Sequence, residues 1–263
     1  MKLLKGKHLA QKILQRLKKE ISKQKVKPGL AVILVGKDLG SKIYVKLKER
    51  GCQKIGIKFK KYLLSAKTSE DKIISLIKKI NQDSEVNGLI VQLPLPKHLN
   101  PNRIIQSITQ EKDIDGFRKK SLFYPPTYQA ILELLKATKI NLKNKPVLII
   151  AKKPLFPSGL SKILKKFGLI PRIKILKNKN QKLKLKTKIL IVILGWPNFI
   201  KPEMIEGGTM VIDVGYNRIR GKVVGDVDPA CREKSSFFSP VPGGVGPLTV
   251  AFLLKNVWLA FKK

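Results

Sequence analysis

The sequence predicts an α/β protein. Apolar runs of strand length alternate with amphipathic helical stretches; the alternation comes in two blocks joined by a helix entered through prolines; and 263 residues supply enough chain for a large core. Alternation of this kind implies parallel sheets with right-handed crossovers and ligands at the carboxyl ends of the strands. At this length the chain makes two domains or one elaborate α/β unit.

Residues 7–22 open the chain with apolar positions at Leu9, Ile13, Leu14, Leu17 and Ile21, the spacing of a helix that covers a core. The run 30–35 reads as a buried strand, and the turn from Gly36 to Gly40 feeds a helix that Asp38 or Ser41 caps. On that helix Ser41, Tyr44 and Lys48 form one stripe, and Ile43 with Leu47 forms a neighbouring stripe suited to packing on the sheet. An aromatic ring one turn before an amine, beyond a strand's end, suits a flat substrate whose reacting atom sits beside a proton-transfer group. A solvated lysine is the simpler account of Lys48 when this helix is taken alone.

A strand at 55–64, a helix at 69–81 and a strand at 88–92 follow, the last running into Leu93-Pro-Leu-Pro96. Gln92 ends that strand, either facing a ligand or capping backbone groups. His98 lies beyond, with no nucleophile or carboxylate spaced to make it catalytic. After a helix at 100–109 comes Glu111-Lys-Asp-Ile-Asp-Gly-Phe117, a compact acidic turn. Asp113 and Asp115 offer paired acceptors to an amidine-like ring edge, or form an Asx turn with ion pairs to Lys112 and Arg118.

The proline-entered helix spans roughly 125–136, and the second block has strands at 146–151, 170–176, 189–194 and 209–215 with a helix at 158–167. This is the layout of a dinucleotide-binding domain. Ser158 at the helix N-terminus offers backbone donors to a phosphate, and Lys152 and Lys153 offer charge, although Pro157 stands where a small residue is wanted. The lysine-rich stretch 177–188 reads as a solvated connection and helix face. Three prolines and three glycines crowd residues 240–247, a loop whose backbone a ligand can approach closely, before a last helix at 250–261.

Composition narrows the function classes. The formal charge is +38, which points to polyanion binding, yet the basic residues are mostly Lys and are spread over every segment. A lysine-biased composition accounts for them as well as a nucleic-acid partner does. Cys52 and Cys231 lack metal-ligand spacing and read as reduced thiols, so no metal is expected. No run has signal-peptide or membrane-span character, and the expected location is cytoplasmic.

Six ordered stretches resemble the bifunctional methylenetetrahydrofolate dehydrogenase/methenyltetrahydrofolate cyclohydrolase family across essentially the whole chain. They are Val35-Gly-Lys-Asp with Ser41-Lys-Ile-Tyr-Val-Lys-Leu-Lys48, Gly88-Leu-Ile-Val-Gln-Leu-Pro-Leu-Pro96, Lys112-Asp-Ile-Asp-Gly116, Val211-Ile-Asp-Val-Gly215, Gly225-Asp-Val-Asp228 and Pro240-Val-Pro-Gly-Gly-Val-Gly-Pro247. The resemblance implies two α/β domains with a cleft between them. A folate-binding catalytic domain would span 1–120, completed by the helix near 248–263, and a Rossmann-like domain would span 121–247. It implies that Lys48 is the general acid/base, that Gln92 orients it, that Asp115 binds the pterin edge and that Tyr44 stacks on the folate. Pro242, Gly243 and Gly244 would line the substrate, and Lys152, Lys153, Ser158 and Gly215 would hold NADP. It further implies a homodimer with folate as its small-molecule partner, no membrane or nucleic-acid partner, and a supply of one-carbon units for purine biosynthesis.

The cofactor side departs from the family pattern. Gly-Arg-Ser followed by Val-Gly-x-Pro is replaced by Ala151-Lys-Lys and Phe156-Pro-Ser-Gly159, and Pro-Cys-Thr-Pro by Pro125-Pro-Thr-Tyr128. A Cys-His-Ser-Lys-Thr-like stretch is replaced by Leu176-Lys-Asn-Lys-Asn180. The activity that the resemblance implies is NADP-dependent oxidation of 5,10-methylenetetrahydrofolate followed by hydrolysis to the 10-formyl form. The alternatives are a hydrolase alone with a degraded nicotinamide site, or a basic nucleic-acid-binding protein on the same fold.

Overall fold

The computed structural model describes residues 1–181 and 183–263. In chain order the elements are β1 (Lys2–Leu3), α1 (Gly6–Ser22), β2 (Gly29–Val35), α2 (Leu39–Ile55), β3 (Lys58–Leu64), α3 (Glu70–Gln82), β4 (Gly88–Val91), α4 (Pro101–Gln106), α5 (Pro126–Ala137), β5 (Pro146–Ala151), α6 (Leu155–Lys166), β6 (Ile170–Ile175), β7 (Ile189–Ile193), β8 (Thr209–Asp213), β9 (Asn217–Ile219), β10 (Lys222–Val224), α7 (Cys231–Lys234), β11 (Ser235–Ser239) and α8 (Val245–Phe261). They fall into two compact units, Ala10–Pro126 with Val250–Lys263, and Met1–Leu9 with Thr127–Thr249. Among the described residues no helix is long and apolar enough to cross a membrane.

The unit containing residues 10–126 is built on a parallel sheet ordered β3-β2-β4. All seven residues of β2 are buried, as a central parallel strand covered on both faces requires. Its even-numbered side, Leu30, Val32 and Leu34, packs with α1, α2 and α8 through Leu17, Ile21, Val45, Cys52, Ile55, Leu254 and Val257. Its odd-numbered side, Ala31, Ile33 and Val35, packs with α3 and α4 through Ile73, Ile77, Ile80 and Ile104. Asp38 caps α2 by accepting from the Ser41 N–H at 2.7 Å, and Gly56 at φ +86 ends it. The helix thus takes residues up to Ile55, and the strand expected from 55 begins at Lys58.

The packed face of α2 is a correction to the sequence reading. Leu47 is 43% exposed, and the buried stripe is Ser41, Val45, Cys52 and Ile55. Lys48 lies in line with that stripe, at i+7 from Ser41 and i−4 from Cys52, and is itself half-buried.

The other unit carries a six-stranded sheet ordered β1-β11-β8-β7-β5-β6, with every neighbouring pair parallel. Because β1 pairs with β11, Met1–Leu9 belongs with this sheet, where the sequence reading grouped them with the folate-binding residues. Gly6 permits the approach, since a Cβ there would lie 1.9 Å from the Gly244 carbonyl oxygen. The connection 177–188 is not a helix face: Leu183, Leu185 and Thr187 are buried between exposed lysines, and Leu185 bridges to Ile205. Lys182 of that stretch lies outside the described residues. Helix α8 starts at Val245, inside the loop expected to precede it, because Pro247 falls in its first turn where no N–H is needed. The hairpin β9–β10 and the short α7 and β11 carry too few residues for a period to show in the sequence.

Candidate active site

The end of β4 and the buried face of α2 bring Lys48 and Gln92 together. Lys48 Nζ donates to Gln92 Oε1 at 3.0 Å, while Gln92 Nε2 donates to the Leu93 carbonyl at 2.7 Å. The second bond fixes which way the amide points, so its oxygen is the end offered to the amine. Ser41 Oγ donates to the same Leu93 carbonyl at 3.3 Å, which ties the start of α2 to the proline loop. Tyr44, half-buried, stands one turn before Lys48 on the same helix.

The acidic turn supplies the opposing charge. Burial lowers the proton affinity of the Lys48 amine, and the Asp115 carboxylate opposes that effect. Burial in turn raises the Asp115 carboxyl above the usual carboxylate range, opposed by Lys48. Each therefore depends on the other to stay charged. The remaining residues of the turn are scaffolding. Asp113, 1% exposed, accepts from the Arg118 and Phe117 N–H groups at 3.0 and 3.4 Å. Lys112 Nζ donates to the carbonyls of Ile80 and Asp83 at 2.9 and 2.7 Å, at the carboxyl end of α3. The ion pairs with Lys112 and Arg118 that the alternative reading of the turn called for give way to bonds with backbone, because Asp113 is buried where main-chain donors face it. Gly116 adopts φ +71, and a Cβ on it would lie 2.5 Å from the Phe123 oxygen.

In the other unit, Lys152 and Lys153 are exposed at the carboxyl end of β5. Lys152 Nζ lies 3.4 Å from the Gly195 oxygen and 4.8 Å from the centre of the Trp196 ring. Ser158 is not at a helix start. Helix α6 begins at Leu155, and the Ser158 N–H already donates to the Pro154 carbonyl at 2.9 Å. With Pro157 lacking an N–H and the Ser158 N–H engaged, neither residue is the helix-start donor that the sequence reading expected of Ser158. Gly243, at φ +110, accepts from the Lys7 N–H at 2.9 Å, and the Gly244 N–H donates to the Pro240 carbonyl at 2.7 Å, which folds Pro242, Gly243 and Gly244 into a tight turn ahead of α8.

Two acids that the sequence reading left without a role organise this end of the sheet. Asp226, fully buried, accepts from the N–H groups of Leu194, Gly195 and Trp196 and from Asn217 Nδ2, all between 2.6 and 2.9 Å. Asp213 accepts from Gly215, Asp226 and Val227 N–H groups. Burial and the neighbouring Asp226 push the Asp213 carboxyl up to about 7 against the pull of those donors. A Cβ at Gly215 would lie 2.3 Å from the Asp226 carboxyl carbon, and one at Gly225 1.8 Å from Asp213 Oδ2. Close packing against a carboxylate is therefore a sufficient reason for glycine at 215. The signal was present in the sequence: acids beside glycines in a chain short of acid.

Among the described residues no cluster of three or more His, Cys, Asp or Glu side chains is arranged to hold a metal ion. Both cysteines are buried, and burial pushes each thiol up to about 12.

Comparison with known proteins identifies the family. Residues 4–115 match the model of the tetrahydrofolate dehydrogenase/cyclohydrolase catalytic domain, and residues 125–263 match that of the family's NAD(P)-binding domain. The bifunctional protein FolD of Campylobacter hominis is 40% identical over 97% of this chain and 95% of its own. The crystal structure of the bifunctional enzyme FolD from Campylobacter jejuni superposes with a TM-score of 0.92 at 36% identity, covering 100% of this chain and 99% of that one. The Trypanosoma brucei dehydrogenase-cyclohydrolase, solved with NADP and an inhibitor, gives a TM-score of 0.90 at 26% identity over 98% and 96% of the two chains. The protein belongs to the tetrahydrofolate dehydrogenase/cyclohydrolase family.

Proposed function

We propose that this chain oxidises 5,10-methylenetetrahydrofolate to the methenyl cation and hydrolyses that cation to 10-formyltetrahydrofolate, with Lys48 as the proton-transfer group of both steps. The observation that carries the reading is the Lys48–Gln92 bond of 3.0 Å beside a charge-coupled Asp115. An amine whose proton affinity burial has lowered is neutral more often at working pH than a solvated lysine. In the hydrolytic step it takes one proton from the water that attacks the methenyl carbon and returns it to the ring nitrogen as the carbon–nitrogen bond opens, while the second water proton leaves to solvent as the hydroxyl of the adduct becomes the formyl carbonyl. Gln92, locked by Leu93, holds the amine on line. Asp115 takes the pterin edge and Tyr44 the flat ring system.

The dinucleotide-binding unit fits a phosphorylated nicotinamide cofactor by charge. Lys152 and Lys153 stand at the end of β5, and the segment after β6 begins Leu176, Lys177, Asn178, with no acid of the kind that holds a free ribose hydroxyl. We infer NADP over NAD on that ground, with Lys152, Lys153 and the loop carrying Gly215 holding it. A nicotinamide held there would supply the hydride acceptor for the oxidation. A cytoplasmic homodimer feeding purine biosynthesis belongs to the same proposal, and gel filtration with light scattering tests the dimer.

The test of the main reading is Lys48→Ala. Conversion of methenyltetrahydrofolate to the formyl form, followed by loss of methenyl absorbance, should fall by roughly 10²–10⁴. Turnover at the parent rate would remove Lys48 from the mechanism. A second assay, reduced nicotinamide formation with NADP against NAD, separates the bifunctional reading from a hydrolase alone.

A further inference from the structure

Asn256 is a buried amide of α8, 1% exposed, close in sequence to the buried Leu253, Leu254 and Val257. A buried amide costs free energy unless its hydrogens are donated. Its Nδ2 donates to the Ile114 carbonyl at 2.8 Å and to the Tyr124 carbonyl at 3.2 Å, reaching Ile114 across 142 residues of sequence. These carbonyls bracket the acidic turn: Ile114 is the residue before Asp115, and Tyr124 closes the loop that follows it.

The rest of the turn explains why one amide has such leverage. The Ile114 side chain sits against Gly88, where a Cβ would come within 2.9 Å, and Gly116 sits against the Phe123 oxygen. Asp113 holds the outer N–H groups of Phe117 and Arg118. Those contacts shape the loop, while the amide of Asn256 ties it to the helix beneath.

We propose that Asn256 is a positioning residue: the hydrogen bonds that its Nδ2 donates to the Ile114 and Tyr124 carbonyls hold Asp115 at its working place opposite Lys48. The groups that face the Lys48 amine are Gln92 from the end of β4, Asp115 from the turn and Cys52 one turn further along α2. Of these, only Asp115 lies on the segment Asn256 grips. If the turn recedes, Lys48 keeps its burial and loses its counter-charge, so its proton affinity drops. The consequence for turnover rests on the reading of Lys48 given above; the electrostatic coupling does not.

The experiment measures the pH dependence of Lys48 acylation by mass spectrometry on the intact chain, in the parent, Asn256→Ala and Asn256→Ser. The Lys48 midpoint should move down in Asn256→Ala and less in Asn256→Ser, whose hydroxyl can serve one of the two carbonyls. Hydrolytic kcat should fall in the same order, by roughly tenfold to a hundredfold for alanine. In an Asp115→Asn background the Asn256 substitutions should shift the midpoint no further. An unmoved midpoint in a folded Asn256→Ala, even with reduced thermal stability, overturns the proposal, as does a full shift that persists without Asp115. Should alanine prevent folding, the serine variant decides alone by the same two criteria. If Lys48→Ala retains hydrolysis, the functional reading fails while the acylation midpoints still decide the coupling.

Discussion

Lys48 occupies a position where its helix would otherwise bury an apolar side chain, between Val45 and Cys52 on the packed face of α2. That placement changes the acid–base character of the lysine, because burial lowers its proton affinity and the Asp115 carboxylate pulls the other way. The sign of the effect of Asp115→Asn follows. Removing the carboxylate removes a stabiliser of the ammonium, so the neutral amine persists to lower pH. The acid limb of the hydrolytic kcat profile should therefore shift to lower pH while KM for the folate rises. An acid limb that stays in place or moves up would show that Asp115 does not act on Lys48 through charge. Sequence spacing found the stripe Ser41, Tyr44 and Lys48 but assigned the buried face to Ile43 and Leu47, since the periodicity of one helix does not say which neighbour covers it.

At the scale of elements, the departures from the family pattern on the cofactor side are packed against one another. Tyr128 of α5 donates its hydroxyl to the Phe156 carbonyl at 2.9 Å, its ring meets the Phe156 ring edge-on at 4.8 Å, and its hydroxyl oxygen lies where a Cβ on Gly159 would come within 2.6 Å. Burial pushes its phenol up to about 12, so it remains a donor at any working pH. Tyr128, Phe156 and Gly159 thus form one coupled change in the helix pair, and Gly159 is there to admit the ring. Gly159→Ala should destabilise this unit by about 1–3 kcal/mol despite alanine's better helix propensity. Tyr128→Phe in the same chain should recover part of the loss, and additivity of the two in a double-mutant cycle would show that the contact carries no coupling. The strand ends depend on a second pair, Asp213 and Asp226. The folded state keeps the Asp213 proton up to about pH 7, and the unfolded chain releases it near 3.8, so between these values the native state binds more protons. Stability of this unit should then fall as pH rises from about 4 to about 7, by a few kcal/mol at about 1.4 kcal/mol per unit. Asp213→Asn, which has no proton to lose, should flatten that slope in thermal unfolding whatever its effect on the absolute midpoint.

For the whole molecule the governing quantity is charge. With 55 basic and 17 acidic residues, positive charge greatly exceeds negative, and such ion pairs as Lys58 with Glu85 are exposed and weak. A field of this sign attracts anionic substrates over distances that salt cuts to about 10 Å at 0.1 M. Folate carrying several glutamates should show a kcat/KM that declines with added NaCl, by roughly tenfold across the range that screens the field, with the monoglutamyl form declining less. Equal salt dependence for the two would assign the lysines to composition alone. Competition between an oligonucleotide and polyglutamyl folate separates this use of the charge from nucleic-acid binding.

The alternation of strands and helices, the parallel sheets and the family all lay open in the sequence, because each depends on periodicity or on short motifs whose residues are neighbours in the chain. That Lys48, Gln92 and Asp115 are the residues proposed for the site followed from the same motifs, and the fold brings Lys48 and Gln92 within hydrogen-bond distance. Three matters were decided by tertiary structure alone. Which face of α2 is buried depends on α1, α8 and the sheet together. Where Met1–Leu9 belongs depends on a pairing with β11 across more than two hundred residues. What grips the turn beside Asp115 is an amide from α8, at the far end of the chain. Local sequence cannot encode these, since burial and hydrogen-bond partners are properties of whatever the completed fold brings alongside.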